Sequence, residues 1–316
     1  MLRLSFTARD VARTRFAVSP LWEVVASVRA LRRPDVHTVH RSWAALAGPR
    51  LAAVDWGLLA ALVPDRRIPA FLAPPPATPV PDLAVELAAL RATPARRVRA
   101  GLPADPALRA FRADPEAGLG RLCAQIEAYF DAAIAPYWPR IRALLEGDVL
   151  RRARLLAEGG AQRLLNDIDP AVSWSGDELA IAHRESPDAP GLRGRGLLLV
   201  PSVFVWPRVF SLVADPWQPT LRYPPRGAAT LWERRDRPDR GALARVIGAS
   251  RARILSELDV PSSTKDLGTL TGLTAGAVSQ HLTAMRDAGL VTGHRVGRSV
   301  LYARTQAAEA LLAASP

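Results

Sequence analysis

The sequence predicts an α+β fold: a mainly helical N-terminal region with a small β-sheet, followed by a C-terminal unit of helices that closes on a β-hairpin. Three observations carry that reading. Apolar residues at helical spacing, preceded by capping residues, recur over residues 1–168; from Ala171 the pattern changes to short apolar runs punctuated by Gly and Pro; and beyond the charged segment Glu233–Arg240 the helical spacing returns. With 316 residues, 49% of them hydrophobic, the chain has room for two domains and is not generally disordered, while 6% aromatics leave Ala, Leu and Val to fill the core. The domains expected are residues 1–240, helical over 1–168 and strand-rich over 171–232, and residues 241–316.

After an extended Leu2–Phe6, Thr7 and Asp10 have the spacing of a capping box, and Ser19-Pro20 pairs an N-cap with a first-turn proline. Helices are expected over Pro20–Leu31, Val39–Leu46 and Leu51–Leu62. Pro64, Pro69, Pro74–Pro76, Pro79 and Pro81 then remove too many N–H groups for regular structure and mark a connector. Asp82 caps a helix to Arg91, and Thr93-Pro94 opens a short one. Asp114-Pro115 opens a long helix through Tyr129, which must break near Pro136 and Pro139 before another from Arg140 to Leu156. Val172–Trp174 and Leu179–Ala182 flank a Gly-containing turn and read as a hairpin. Gly196–Val200, Val203–Trp206 and Thr220–Tyr223 read as strands of the small sheet.

In the last unit, Leu243, Val246 and Ile247, then Ile254, Leu255 and Leu258, predict two lead-in helices jointed at Gly248. Ser263-Thr264-Lys265-Asp266 is a capping box for a helix with Leu267, Leu270 and Leu273 on its apolar side, and Thr271-Gly272 allows the sharp turn of a helix-turn-helix. Thr274 caps the second helix. Val278, Leu282 and Met285 share one stripe of it, which leaves Ala275, Gly276, Ser279, Gln280 and Thr283 on the opposite side. Such a side suits the major groove of DNA, where Gln pairs bidentately with adenine, Ser donates or accepts, and Ala and Gly permit close approach. Val291–Tyr302 reads as two strands about a Val296-Gly297 tip with Arg295 and Arg298 on either side, a basic wing. The C-terminal unit is thus expected to be a winged helix-turn-helix.

Ser263-Thr264, Ala277–Leu282, Arg286–Val291 and Gly297-Arg298 through Tyr302 stand in an order that resembles the winged helix-turn-helix of the ArsR/SmtB family of bacterial repressors, over Leu243–Thr305. The resemblance implies a homodimeric transcription factor whose second motif helix enters the major groove and whose wing touches backbone or minor groove. The DNA-binding residues expected are Ser263, Thr264, Lys265, Thr274, Ala275, Gly276, Ser279, Gln280, His281, Thr283, Arg295 and Arg298, and the partner is double-stranded DNA carrying an inverted-repeat operator. For His281, packing beside Leu282 competes with DNA contact. Gly268 stands where such helices usually carry Ala, which lowers helix stability by up to about 1 kcal/mol. Many members bind metal through a Cys-x-Cys pair in the first motif helix or through His and acidic residues in the last. Here the former has no Cys and Ala307–Pro316 offers only Glu309, so no metal site and no cofactor is expected. The residues before about Arg240 resemble an uncharacterised N-terminal region found fused to this type of winged helix in GC-rich bacteria, most recognisably at Gly196–Trp206 and Tyr223–Trp232, and that resemblance brings no activity with it.

Forty-two Lys and Arg against 30 Asp and Glu, a net charge of +12, suit a polyanionic partner, although Lys265 is the one lysine and part of the basicity follows the codon habit of a GC-rich genome. One cysteine, Cys123, excludes an intrachain disulfide and reads as a core residue. Arg3, Arg9, Arg13 and Arg15 occupy the place of an export signal's apolar stretch, and the longest apolar runs fall short of the roughly 20 residues of a spanning helix; a cytoplasmic protein with no membrane partner is expected. Trp174, Phe204, Trp206 and Tyr223 alternate with smaller residues on expected strands and form a candidate pocket for a small apolar effector, with a core role as the competing reading. His37 and His40 read as surface residues, and Arg151, Arg152, Arg154 and Arg163 as a solvated helix face or an extension of the DNA footprint. The function expected is a homodimeric repressor. An enzyme or ligand-binding protein with an accessory winged helix is the alternative, although no nucleophile elbow, phosphate loop, zinc-protease motif or dinucleotide fingerprint occurs, so no catalytic residue is assigned. A protein-interaction module sits poorly with the polar helix face and the arginine-bearing wing.

Overall fold

Strand β1 (Leu2–Ser5) alternates buried and exposed residues, and Thr7 ends it by capping helix α1 (Ala8–Ala12). The Thr7 hydroxyl takes the Asp10 backbone N–H while the Asp10 carboxylate takes that of Thr7. After β2 (Arg15–Phe16), Ser19 accepts from the Trp22 backbone N–H and caps α2 (Pro20–Arg32). Ten of the thirteen residues of α2 are buried, so it is an interior helix and not an amphipathic surface one. The computed structural model describes residues 1–64, 68–182, 191–232, 241–258, 260–296 and 299–313, and divides into two units, Met1–Trp232 and Glu233–Pro316. Residues 233–240, on which the expected boundary falls, lie outside the described residues.

A 3-10 turn at Thr38–His40 leads into α3 (Arg41–Leu51), and α4 spans Gly57–Leu62. Of the helix expected over Leu51–Leu62 only Gly57–Leu62 forms, because α3 ends at Leu51 and Asp55 turns its carboxylate onto the Gly57 backbone N–H where α4 starts. Helices α5 (Leu83–Arg91), α6 (Ala95–Gly101), α7 (Arg109–Ala113) and α8 (Pro115–Tyr129) follow the proline and aspartate signals, with Asp114 capping α8. The break near Pro136 takes the form of a π turn at Phe130–Ile134 and a 3-10 turn at Ala135–Tyr137. The next helix, α9 (Trp138–Asn166), runs past Leu156 across non-helical Gly159 and Gly160.

Two small sheets form where one was expected. β3 (Val172–Ser175) and β4 (Glu178–Ile181) make the hairpin, and β4 also pairs antiparallel with β1, for the order β1-β4-β3. β5 (Leu198–Pro201), β6 (Phe210–Leu212) and β7 (Thr220–Tyr223) join β2 in the order β2-β5-β7-β6, parallel except for β6 against β7. Leu2, Leu4, Leu164, Leu165, Leu179, Ile181, Leu199 and Leu221 share one core that spans both sheets and the end of α9. Val203–Trp206, expected as a strand, is instead a 3-10 turn over Val203–Val205. The Glu23 carboxyl on α2 takes the Val203 and Phe204 backbone N–H groups, which are therefore not available to a neighbouring strand.

The second unit begins with α10 (Gly241–Ile247) and α11 (Ala249–Glu257), joined at Gly248 with φ 88°, a conformation open to glycine. β8 (Ser262–Ser263), α12 (Thr264–Thr271), α13 (Ala275–Asp287), β9 (Val291–Val296), β10 (Ser299–Arg304) and α14 (Gln306–Ala313) complete it. Its core is Ile254, Leu255, Leu258, Leu267, Val278, Leu282, Met285, Val291 and Ala308. The fold is α+β and ends in a winged helix-turn-helix.

Candidate nucleic-acid interface

Local chemistry sets the helix pair. Ser263 Oγ donates to the Asp266 carboxylate at 2.7 Å and accepts the Asp266 backbone N–H at 3.2 Å, starting α12. Gly272, with φ 68° and ψ 15°, ends α12 in the left-handed region and turns the chain. Thr274 then caps α13 by accepting from the Ala277 N–H at 3.3 Å. Val278, Leu282 and Met285 are at most 1% exposed, and this burial fixes the rotation of α13 about its axis. Thr274, Ala275, Gly276, Ser279, Gln280 and Thr283 consequently share an exposed face, while His281 is half-buried beside it.

A shallow open depression on that face is lined by Gly276, Ser279, Gln280, Thr283, Ala284 and Asp287. Ala284 and Asp287 were not among the expected site residues, yet they continue the three-and-four spacing of 276, 279, 280 and 283, which is the signal that finds them. Lys265 is exposed on α12, and Thr264 is half-buried. Ser263 is tied up in its cap, so its hydroxyl serves the fold first.

The wing is anchored to the same elements. β9 and β10 pair antiparallel with Arg295 opposite Val300, and β10 also pairs with β8, Leu301 opposite Ser263. Leu301 is 4% exposed and Arg295 is exposed, so the hairpin roots in the core and carries its arginine outward. Gly297 and Arg298 lie outside the described residues.

The four aromatics expected to present one face do not. Trp174 on β3 packs edge-on against Phe6 at 4.8 Å, and Tyr223 on β7 is buried with its hydroxyl donating to Asp148 at 3.0 Å. Phe204 lies 4.5 Å from Trp43, and Trp206 is half-buried with its carbonyl 2.8 Å from His37 Nδ1. The four share no face because Val203–Val205 is not a strand and because β3 and β7 belong to different sheets.

His40, expected at the surface, is fully buried, and its Nδ1 accepts the Trp232 indole N–H at 2.9 Å. Cys123 is a buried core residue. Arg152, expected on a solvated face or on DNA, is 1% exposed and paired with Asp148 at 2.7 Å and Asp167 at 3.2 Å. Two buried carboxyls, Glu23 and Glu86, were not among the expected residues. Glu86 on α5 accepts from Ser19 Oγ at 2.6 Å and the Leu21 backbone N–H at 2.8 Å, and Glu23 accepts from Val203 at 3.0 Å and Phe204 at 3.3 Å. Burial pushes Glu23 up to about 8 and Glu86 up to about 7, and holds the His40 imidazole down to about 3. A lone Glu inside the apolar runs Leu21–Val25 and Leu83–Leu87 is the signal each leaves in the sequence.

Two family models, one curated relative and one solved structure match parts of the chain. Residues 71–229 match the model described as a family of unknown function (DUF5937), and residues 250–292 match the bacterial regulatory protein, arsR family. Residues 250–292 are thus a helix-turn-helix of the ArsR family, the class of DNA-binding domain that the exposed face of α13 suits. The HTH-type transcriptional regulator YgaV of Escherichia coli (strain K12) is 42% identical over 53 residues, 16% of this chain and 54% of YgaV, so the chain spans about half the length of that curated relative. A solved structure described as the predicted DNA-binding transcriptional regulator from E. coli is 35% identical and covers 23% of this chain and 82% of that one, with a TM-score of 0.21, too low to carry an argument about the fold.

Proposed function

We propose that this chain, which belongs to the family of unknown function DUF5937 through a match over half its length, is a sequence-specific transcriptional regulator that reads DNA with the ArsR-family winged helix at its C-terminal end. The carrying observation is the exposed small and polar face of α13, held in rotation by its buried stripe and followed by a hairpin that carries Arg295 outward. Gly276, Ser279, Gln280 and Thr283 meet base edges, while the wing and Lys265 meet phosphate.

One such helix reads only a few base pairs, so the working form is a twofold homodimer on an inverted repeat with half-sites about one helical turn apart, or a multiple of it. It acts as a repressor in the cytoplasm; among the described residues no helix is long and apolar enough to cross a membrane. The N-terminal unit dimerises and senses an organic effector, and it is regulatory rather than catalytic. Two features support an organic effector over a metal: α12 carries no Cys, and Glu309 on α14 is paired with Arg304 at 3.3 Å.

The test compares Ser279→Ala and Gln280→Ala with the wild type on operator and on scrambled DNA. Each substitution costs about 1–3 kcal/mol of specific binding and leaves non-specific binding nearly intact. Equal weakening on both DNAs, or none on either, removes α13 from base reading.

A further inference from the structure

We infer that the Trp232 indole occupies, from within the chain, a binding site for a flat aromatic ligand bearing one N–H donor, and that such a ligand competes with Trp232 for it. The inference rests on the reading of the N-terminal unit as the effector-sensing part of a DNA-binding regulator.

The Trp232 ring lies 5.5 Å from Tyr137, 5.7 Å from Phe204, 6.1 Å from His40 and 6.2 Å from Trp43, measured between centroids. His40 and Trp43 are fully buried and Phe204 is 1% exposed, whereas Trp232 and Tyr137 are only partly buried. The arrangement is an aromatic recess whose inner walls are sheltered and whose outer cover is Trp232 itself. The inner wall is held in place independently, because Trp43 Nε1 donates to the Ala133 carbonyl at 2.9 Å.

One polar contact fixes what fits. An indole nitrogen can only donate, so the 2.9 Å bond from Trp232 Nε1 makes His40 Nδ1 an acceptor and His40 a neutral imidazole. When Trp232 leaves, the acceptor it covered is left facing the recess, and an occupant of the recess satisfies it only with a donor at that point. Flatness follows from the ring walls and the donor from His40, so the ligand class is an uncharged aromatic N–H heterocycle, the chemistry of the side chain now in place.

The position of the cover gives the site a consequence. Trp232 ends the 3-10 turn Ala228–Trp232 and is the last residue of the first unit, and the winged helix begins with α10 at Gly241. A ligand that takes the recess therefore releases the chain at the point where it leaves the sensing unit. Its apparent affinity in the wild type is lowered by the fraction of time Trp232 holds the site.

The experiment uses the full chain and indole as probe, with 1-methylindole, which lacks the donor, as control. In Trp232→Ala, calorimetry shows saturable binding of one indole per chain, at least tenfold tighter than in the wild type and at least tenfold tighter than 1-methylindole. Should Trp232→Ala not fold, Trp232→Phe keeps a ring and removes the donor, and indole binds it more tightly than the wild type. In the wild type, indole speeds tryptic cleavage after Arg226, the exposed arginine just before the 3-10 turn that Trp232 ends, and 1-methylindole does so less. Equal binding of the two probes, no saturable binding in the folded variant, or cleavage insensitive to indole overturns the inference and leaves Trp232 a structural anchor. Neither readout uses DNA, so loss of DNA binding alone overturns the regulator reading and leaves this site standing.

Discussion

Replacing Gly276 by alanine separates a stabilising effect on the fold from a damaging effect on recognition. Gly276 is the second residue of α13, its φ is not positive, and a Cβ built there meets no atom within 4 Å. The fold has no steric reason to keep glycine at this position. Glycine in a helix costs about 0.5–1 kcal/mol relative to alanine, so Gly276→Ala raises stability by about that amount. For a domain of this size the gain raises the melting temperature by about 2–8 °C. The same methyl stands on the exposed face lined by Ser279 and Gln280, between helix and base edges, and displaces the helix from the groove. Operator affinity then falls roughly tenfold, about 1.4 kcal/mol, with little change on scrambled DNA. Thermal melts and operator titrations on the same preparation read the two signs together. A gain in stability with unchanged operator affinity shows that α13 does not approach DNA at Gly276 and refutes the groove-facing assignment.

Arg298→Ala shallows the slope of log affinity against log salt by about 1, the signature of one phosphate contact; an unchanged slope keeps the hairpin off the DNA. Arg152→Ala leaves Asp148 buried with only part of its charge met by Arg151 at 3.5 Å, and costs about 3–5 kcal/mol in urea unfolding; a loss below about 1 kcal/mol means the pair is not buried in solution. Stability of the N-terminal unit also depends on pH with two opposed arms. Glu23 and Glu86 have carboxyls raised to about 8 and about 7, so the unfolded chain releases their protons first and stability is lost as pH rises from about 4.5 through those values. His40 is lowered to about 3, so the unfolded chain protonates first and stability is lost as pH falls below about 6.5. The two arms nearly cancel between pH 4 and 5.5 and the carboxyl arm dominates above, so urea midpoints at pH 4 and 5.5 are similar and the one at pH 8 is lower; a midpoint that climbs from 5.5 to 8 contradicts the burial of both carboxyls.

Elements written in short-range chemistry were legible in the sequence. The capping boxes Thr7–Asp10 and Ser263–Asp266, the caps Ser19, Asp114 and Thr274, and the left-handed Gly272 each involve residues within a few positions, and each appears in the structure. The exposed face of α13 was legible for the same reason, since Val278, Leu282 and Met285 on one stripe dictate which residues lie opposite. The helix end expected at Leu46 marks the limit of such signals, because α3 carries Pro49 inside it and runs on to Leu51.

What only tertiary structure decided involves partners far apart in the chain. Val203–Val205 has a strand's composition but turns, because its N–H groups are taken by Glu23 from 180 residues away. Arg152 looks like its exposed neighbours in sequence and is buried because Asp167 and Tyr223 close over it with Asp148. His40 is the same case, covered by Phe204 and Trp232. Periodicity reports which face of an element is apolar, but a polar side chain goes inside only when a complementary group arrives from elsewhere. That arrival depends on the packing of α2, α9 and the two small sheets, which no local pattern encodes.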